Sequence, residues 1–412
     1  MSGGLLITHI AGLVQVRPVA PGIVAGADMA HLPVINHAWI LVKDGRIHSF
    51  GSMDTCPDST GHECIDASGR WVMPTFVDSH THLVFPTPRS EEFVMKIRGA
   101  TYAEIAANGG GILNSARKLQ GMSEDDLLEV TLPRIKALIA SGTGAFEIKS
   151  GYGLTVADEL KMLRVARRLA RHVPVTIRTT LLGAHAIPTG MSKDHYVRLV
   201  IEEMIPAAAA EGLADYVDVF CEEGFFSPAD TEAIIMAGRR HGLGARIHAN
   251  QLHHSGGVQV GVKTGAISVD HLEQMGDEEI ACLREGNTMP VVLPGAAFFL
   301  NLPFPPARRM IESGLPVAIA SDYNPGSSPA GTIPMMISLA CIRMRLTPEE
   351  AINATTINTA HTLGLTQTHG TITVGKEANL LITRKVASLA ELPYAYDTPW
   401  ADTVLLRGVT HN

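Results

Sequence analysis

At 412 residues, 46% hydrophobic and 18% charged, the chain is globular and long enough for two or three domains or for one α/β barrel with additions. Its 33 basic and 41 acidic residues give a formal net charge of -8, and no Lys/Arg run is long enough to follow a phosphate backbone, so nucleic acid is not an expected partner. The five cysteines, Cys56, Cys64, Cys221, Cys282 and Cys341, are odd in number and lack CxxC spacing, which argues against a disulfide framework or a cysteine zinc site and fits a reducing cytoplasm.

The opening MSGGLLITHIAGLVQV has no basic n-region, and no apolar run reaches the ~18 residues of a membrane span, so neither secretion nor a membrane partner is expected. From Leu5 to about Trp71 the chain reads as short β-type segments such as WILVKDGRIHSFG. GTITVGKEANLLITR and DTVLLRG near the other end have the same style. Residues 1–72 and 366–412 are therefore expected to build one small β-sandwich domain from both termini, with a catalytic domain over 73–365 between them.

In that central part, apolar β-rich segments alternate with helical ones, the pattern of βα units around a parallel sheet. Eight strand candidates fall near FVDSHTHL, GAFEIKSG, VTIRTTLLG, YVDVFCEE, ARIHANQ, AISVDHLE, MPVVLPGA and PVAIASD, the number of a (β/α)8 TIM barrel. Helix starts are signalled by Ser123 with Asp126 and by Ser227 followed by Pro228. Leu128, Leu132, Ile135 and Ile139 then recur at helical spacing, one stripe to bury against a barrel.

His80 and His82, at the end of the first strand, lie two residues apart, so both imidazoles point to one side of an extended chain and can grip one cation. With 18 histidines in the chain such a pair can arise by chance. The rest of a metal shell, however, sits where later strands stop: His248 on the fifth, His271 on the sixth and Asp322 on the eighth. Barrel chemistry gathers at those C-terminal ends. Imidazoles and a carboxylate suit one divalent ion, Zn or Fe, and a cation-activated water makes the site hydrolytic. Asp322 is placed to shuttle the proton and His271 to position the nucleophile or stabilise charge at the attacked oxygen.

The two-histidine strand, the single histidines on strands five and six and the closing aspartate resemble the amidohydrolase superfamily. The lysine that bridges two metals on the fourth strand of some members has no counterpart in YVDVFCEEGFF, which implies a single metal. SHTHLVF, RSEEF, GATYAEIAANGGGI, EIKSGYGL, LLGAHAIP, DHLE, LPGAAFFL and SDYNPGSS together resemble the imidazolonepropionase family of histidine degradation. The resemblance implies metal ligands His80, His82, His248 and Asp322. It also implies substrate contacts from Arg89, Tyr102, Tyr152, His185, Gln251, Asn324, Gly326 and Ser327, a small anionic imidazolone propionate as substrate, and a homodimer.

Those residue types make chemical sense. Arg89 can hold a carboxylate bidentately and Tyr102 can add a hydroxyl, although a surface ion pair with Glu91 or Glu92 is the plainer reading of Arg89 alone. Tyr152 lies between two glycines, and His185 is placed to donate to a ring carbonyl; either is otherwise an ordinary core residue. Gln251 can hydrogen-bond a ring amide but cannot act as a base. The turn of Asn324, Gly326 and Ser327 offers backbone N–H groups to a carboxylate. PTPR, NSARKLQG and Thr75 depart from the family pattern, and the pair His253 and His254 reads as a solvent-facing loop. Two other readings stay open: a sibling deaminase of an N-heterocycle, and a non-catalytic binding protein stapled by the metal.

Overall fold

A computed structural model describes residues 3–99 and 110–411. Eight parallel strands run in chain order around a barrel: β6 (Phe76–Asp78), β7 (Thr143–Lys149), β8 (Thr176–Ala184), β9 (Tyr216–Cys221), β10 (Gly244–Ala249), β11 (Ser268–His271), β12 (Met289–Val292) and β13 (Ala318–Ile319). Most of their residues are buried on both faces, as expected for strands lined by side chains inside and covered by helices outside. The eight candidates from the sequence are these eight strands.

Polar groups close the ring between β6 and β13. The Asp78 carboxylate accepts from the backbone N–H and the hydroxyl of Ser321, at 3.1 and 2.5 Å. Beyond the last strand residues, Asp322 N–H donates to the His80 carbonyl (3.0 Å) and His82 N–H donates to the Tyr323 carbonyl (2.9 Å). The histidine pair thus sits just past β6 rather than within it, on an extended continuation held by a Thr81–Tyr323 bridge.

The helix Glu124–Ala140 opens with the expected capping box between Ser123 and Asp126, and Pro228–Arg240 opens with one between Ser227 and Asp230. Leu128, Ile135 and Ile139 are buried and Leu132 is half-buried. At the strands' N-terminal end, Ala360, Leu363 and Leu365 pack on Val77, Ala145 and Tyr216 and stop the barrel from below. The opposite end is left as the mouth.

Both termini contribute to a separate eight-stranded sheet. Its order is β16 (Val409–His411), β15 (Ala401–Leu406), β14 (Leu380–Lys385), β5 (Arg70–Pro74), β1 (Leu5–Val14), β2 (Val34–Lys43) and β3 (Arg46–Ser52), with β4 (Glu63–Asp66) also pairing β1. β1 is shared: its first half takes β4 and its second half takes β5. Ile7, Ile10, Leu13, Ile40, Val72, Leu380 and Leu405 form the core of this sheet. Trp400 meets Phe76 of the barrel edge-on, with ring centroids 5.8 Å apart, and joins the two units.

Candidate active site

The strand ends bring His80, His82, His248, His271 and Asp322 together, all buried. One ligand atom from each of His80, His82 and His248 lies within 4.8 Å of the others, and the same holds for His80, His271 and Asp322. His82 Nε2 and His248 Nε2 are 3.4 Å apart, and Asp322 Oδ1 is 3.5 Å from Nε2 of both His80 and His82. Two nitrogens bound tetrahedrally at ~2.0–2.1 Å from one ion would stand about 3.3 Å apart. His80 Nε2 is a buried nitrogen with no hydrogen-bond partner among the described residues. The donor set therefore fits a divalent cation.

The backs of these rings are fixed. His80 Nδ1 lies 2.6 Å from Asp270 Oδ2 and His248 Nδ1 lies 3.0 Å from Asp218 Oδ2, so each Nε2 is turned toward the shared centre. Burial holds the His80, His82 and His248 imidazoles below the usual histidine range, and so in the neutral form that binds a metal. Burial also raises the Asp322 carboxyl to about 6, with His271 and the Ser327 hydroxyl opposing the shift. Burial opposes charge on His271 too, but Glu273, 3.4 Å from its Nδ1, carries it above the ordinary value.

Asn250, His271, Leu272 and Asp322 all have positive φ, between 53° and 89°. Left-handed backbone at non-glycine positions costs roughly 1–3 kcal/mol each and is typical of residues aimed for a task.

Above this floor opens a cavity of about 580 Å³ whose wall includes Arg89, Tyr152, His185, Gln251, Asn324, Gly326 and Ser327. Tyr102 lies outside the described residues. Arg89 caps the helix Ser90–Ile97, and its Nε donates to Ser115 Oγ at 3.0 Å while Nη2 is buried without a hydrogen-bond partner among the described residues. Ser115 belongs to the unusual NSARKLQG stretch, which folds into the helix Ile112–Gln120. A Cβ on Gly326 would come within 2.4 Å of Arg89 Nη1, so the missing side chain makes room for the guanidinium.

His185 stacks on His82 at 5.2 Å, and its Nδ1–H donates to the Gly151 carbonyl at 3.0 Å. Burial lowers its pKa to about 3. The neutral ring thus presents an Nε2 lone pair, an acceptor where the sequence suggested a donor. The 324–327 turn also differs from expectation. The N–H groups of Gly326 and Ser327 are taken by Asn324 Oδ1, at 2.8 and 2.7 Å, so they are not a free carboxylate cradle. Ser327 Oγ instead donates to Asp322 Oδ2 at 3.1 Å. His253 and His254 face solvent, paired with Glu222 and Glu279.

Sequence reasoning missed the charges behind the floor: Glu147, Lys149, Asp218, Arg246, Asp270 and Glu273, all buried. The signal was present as charges inside otherwise apolar strands, two in FEIKS and one each in YVDVF, ARIHA and SVDHL, with Glu273 directly after the last. A charge buried in a barrel strand requires a partner. Among the described residues no helix is long and apolar enough to cross a membrane.

The amidohydrolase family profile matches residues 71–410. The chain is 51% identical over 405 residues to the imidazolonepropionase of Flavobacterium johnsoniae, covering 98% of each. It is 49% identical over 406 residues to that of Christiangramia forsetii, covering 98% of this chain and 99% of the relative. Among solved structures, E. coli guanine deaminase superposes with a TM-score of 0.72 at 13% identity, covering 100% of this chain and 99% of that one, a likeness of fold.

Proposed function

The chain belongs to the amidohydrolase family and groups with its imidazolonepropionases, and from that membership we infer that it hydrolyses the ring amide C–N bond of 4-imidazolone-5-propanoate to N-formimidoyl-L-glutamate. One observation carries the substrate class. Arg89 Nη2, without a hydrogen-bond partner among the described residues, and His82, His248 and Asp322 of the cation-fitting floor belong to the same cavity, with His80 beneath them. An anionic arm and a hydrolysable ring can be held at once.

In this reading His80, His82, His248 and Asp322 hold a single divalent ion, Zn or Fe, which supplies water acidification and carbonyl polarisation. Arg89 binds the propionate, with Tyr102 implied beside it by resemblance, and Tyr152 packs on the ligand. Asn324, Gly326 and Ser327 line the same side, Asn324 by holding the turn and Ser327 by orienting Asp322. Gln251 hydrogen-bonds the ring amide. Water adds to the ring carbonyl carbon while Asp322 takes its proton, a role suited to a carboxyl raised toward neutrality. His271, carried toward its charged form by Glu273, donates to the developing oxyanion. His185, with its bare Nε2, accepts from a ring N–H. The C–N bond then breaks and Asp322 returns the proton to the leaving nitrogen.

Loss of imidazolone absorbance on adding folded, metal-loaded protein is the expected outcome. No turnover of that substrate would reject the reading, and ammonia release from purines or pyrimidines would replace it with a deaminase. The same proposal includes a homodimer, a cytoplasmic location, and domain limits at 1–72, 73–365 and 366–412.

A further inference from the structure

Behind the imidazoles lies a hub of charge that the reaction steps above do not use. Lys149, the last residue of β7, has a side chain with no solvent exposure, and its ammonium sits 2.9 Å from Glu147 Oε1 and 2.8 Å from Asp218 Oδ2. Both carboxylates are equally enclosed. Each leads to a different arm of the cation floor.

Asp218 Oδ2 lies 3.0 Å from His248 Nδ1, and its Oδ1 accepts from the His248 backbone N–H at 3.2 Å. Glu147 Oε2 accepts from the backbone N–H of Thr81, the residue between His80 and His82, at 3.3 Å. Lys149 N–H itself donates to the Thr81 carbonyl at 2.9 Å, and the Thr81 hydroxyl donates to the Glu147 carbonyl at 2.7 Å. The histidine pair of the first strand and the single histidine of the fifth are thereby tied to one nitrogen atom.

We propose that Lys149 is a positioning residue for the cation site, the clasp that fixes His80 and His82 relative to His248 by holding Glu147 and Asp218 together. Without an ammonium between them, two buried carboxylates repel, and the arms they steady have no common anchor. The proposal rests on His80, His82 and His248 being the metal ligands. It concerns binding of the ion, not the identity of the substrate.

The test uses the full chain stripped of metal, with Zn2+ as probe in a chelator competition. K149M alone leaves both carboxylates unpaired and is expected to fold poorly. The double variant K149M/E147Q removes one charge of each sign, and E147Q alone is an isosteric change that releases only the Thr81 arm. Both are expected to keep the melting temperature of the metal-free protein within a few degrees. Zinc affinity should nevertheless fall about 10–100-fold in the double variant and by a smaller factor in E147Q. A merely structural lysine would move the melting temperature and leave the affinity alone. Unchanged affinity in E147Q together with a folded double variant that binds zinc like the parent would overturn the proposal. H248A run alongside separates the two levels: if it keeps parental affinity, the ligand assignment itself is wrong and the clasp falls with it.

Discussion

Arg89 Nε donates to Ser115 Oγ at 3.0 Å, across a separation of 26 residues, from the start of the helix Ser90–Ile97 to the helix Ile112–Gln120. Nη2 of the same guanidinium has no hydrogen-bond partner among the described residues. Replacing Ser115 by Ala should therefore loosen the aim of Arg89 without touching the floor. One lost hydrogen bond to a charged group, about 1–2 kcal/mol, raises KM roughly 5–30-fold with kcat nearly unchanged. S115T should restore most of the loss, and R89Q should raise KM by about 100-fold or more. Steady-state kinetics read all three; a drop in kcat at constant KM in S115A would contradict the assignment.

Gly326 gives a complementary prediction. Its φ lies outside the left-handed region, so alanine there strains no backbone, but the new Cβ would fall 2.4 Å from Arg89 Nη1. The guanidinium must shift. G326A is expected to raise KM about tenfold while the melting temperature stays within about 2 °C of the parent. A parental KM would mean that the position of Arg89 is immaterial to binding.

Removal of the ion and of its acid should each stop the reaction. Dialysis against a strong chelator is expected to abolish turnover, with recovery on adding Zn2+ or Fe2+, and elemental analysis should find one equivalent per chain. D322N should lower kcat by about 10³-fold or more, because it removes a ligand and the proton carrier together. Q251A is expected to lose at most about tenfold, since an amide carries no proton in this scheme. Equal losses in the two variants would relocate the proton shuttle.

His369 sets a pH dependence far from the cavity. Asn379 Nδ2 donates to its Nε2 at 3.1 Å, and its Nδ1 lies 2.8 Å from Thr368 Oγ1, so the neutral tautomer is fully used. Burial lowers its pKa to about 4, Glu377 opposing. The unfolded chain takes up this proton near the ordinary value of about 6.5, and the folded chain does so only near 4. Stability from this residue is thus complete above about pH 6.5 and is lost as pH falls toward 4, by an order-of-magnitude 3 kcal/mol at most. Thermal melts of the metal-free protein from pH 7 to 4.5 should show a steeper decline in the parent than in H369Q. Parallel slopes would exclude the residue as a source.

The proposed cation-site residues were legible because each histidine or aspartate lies at or just past the end of an apolar strand, and strand ends define a barrel's working face. The terminal sheet was legible from strand-like segments at both ends of the chain. Glu147, Lys149, Asp218, Arg246 and Asp270 were not, because a lone charge in a short strand looks the same whether it faces water or a buried partner from another strand. Asp218 on β9 meets Lys149 from β7 only after β8 has intervened in the chain. The role of Ser115 and the tautomer of His185 depend on contacts made by folding, with Arg89 and the Gly151 carbonyl. Spacing along the chain does not encode them.

The terminal sheet also dictates an order of events during synthesis. β5 emerges from the ribosome early, yet its antiparallel neighbour β14 is made about 300 residues later. At ~5–20 residues per second that is a wait of roughly 15–60 s. Throughout it, β5 offers an open edge to any passing strand, while β1 is already flanked by β2, β4 and β5. A nascent chain of this design is open to mispairing while its barrel is being made, and a chaperone that shields the first 74 residues would protect it best.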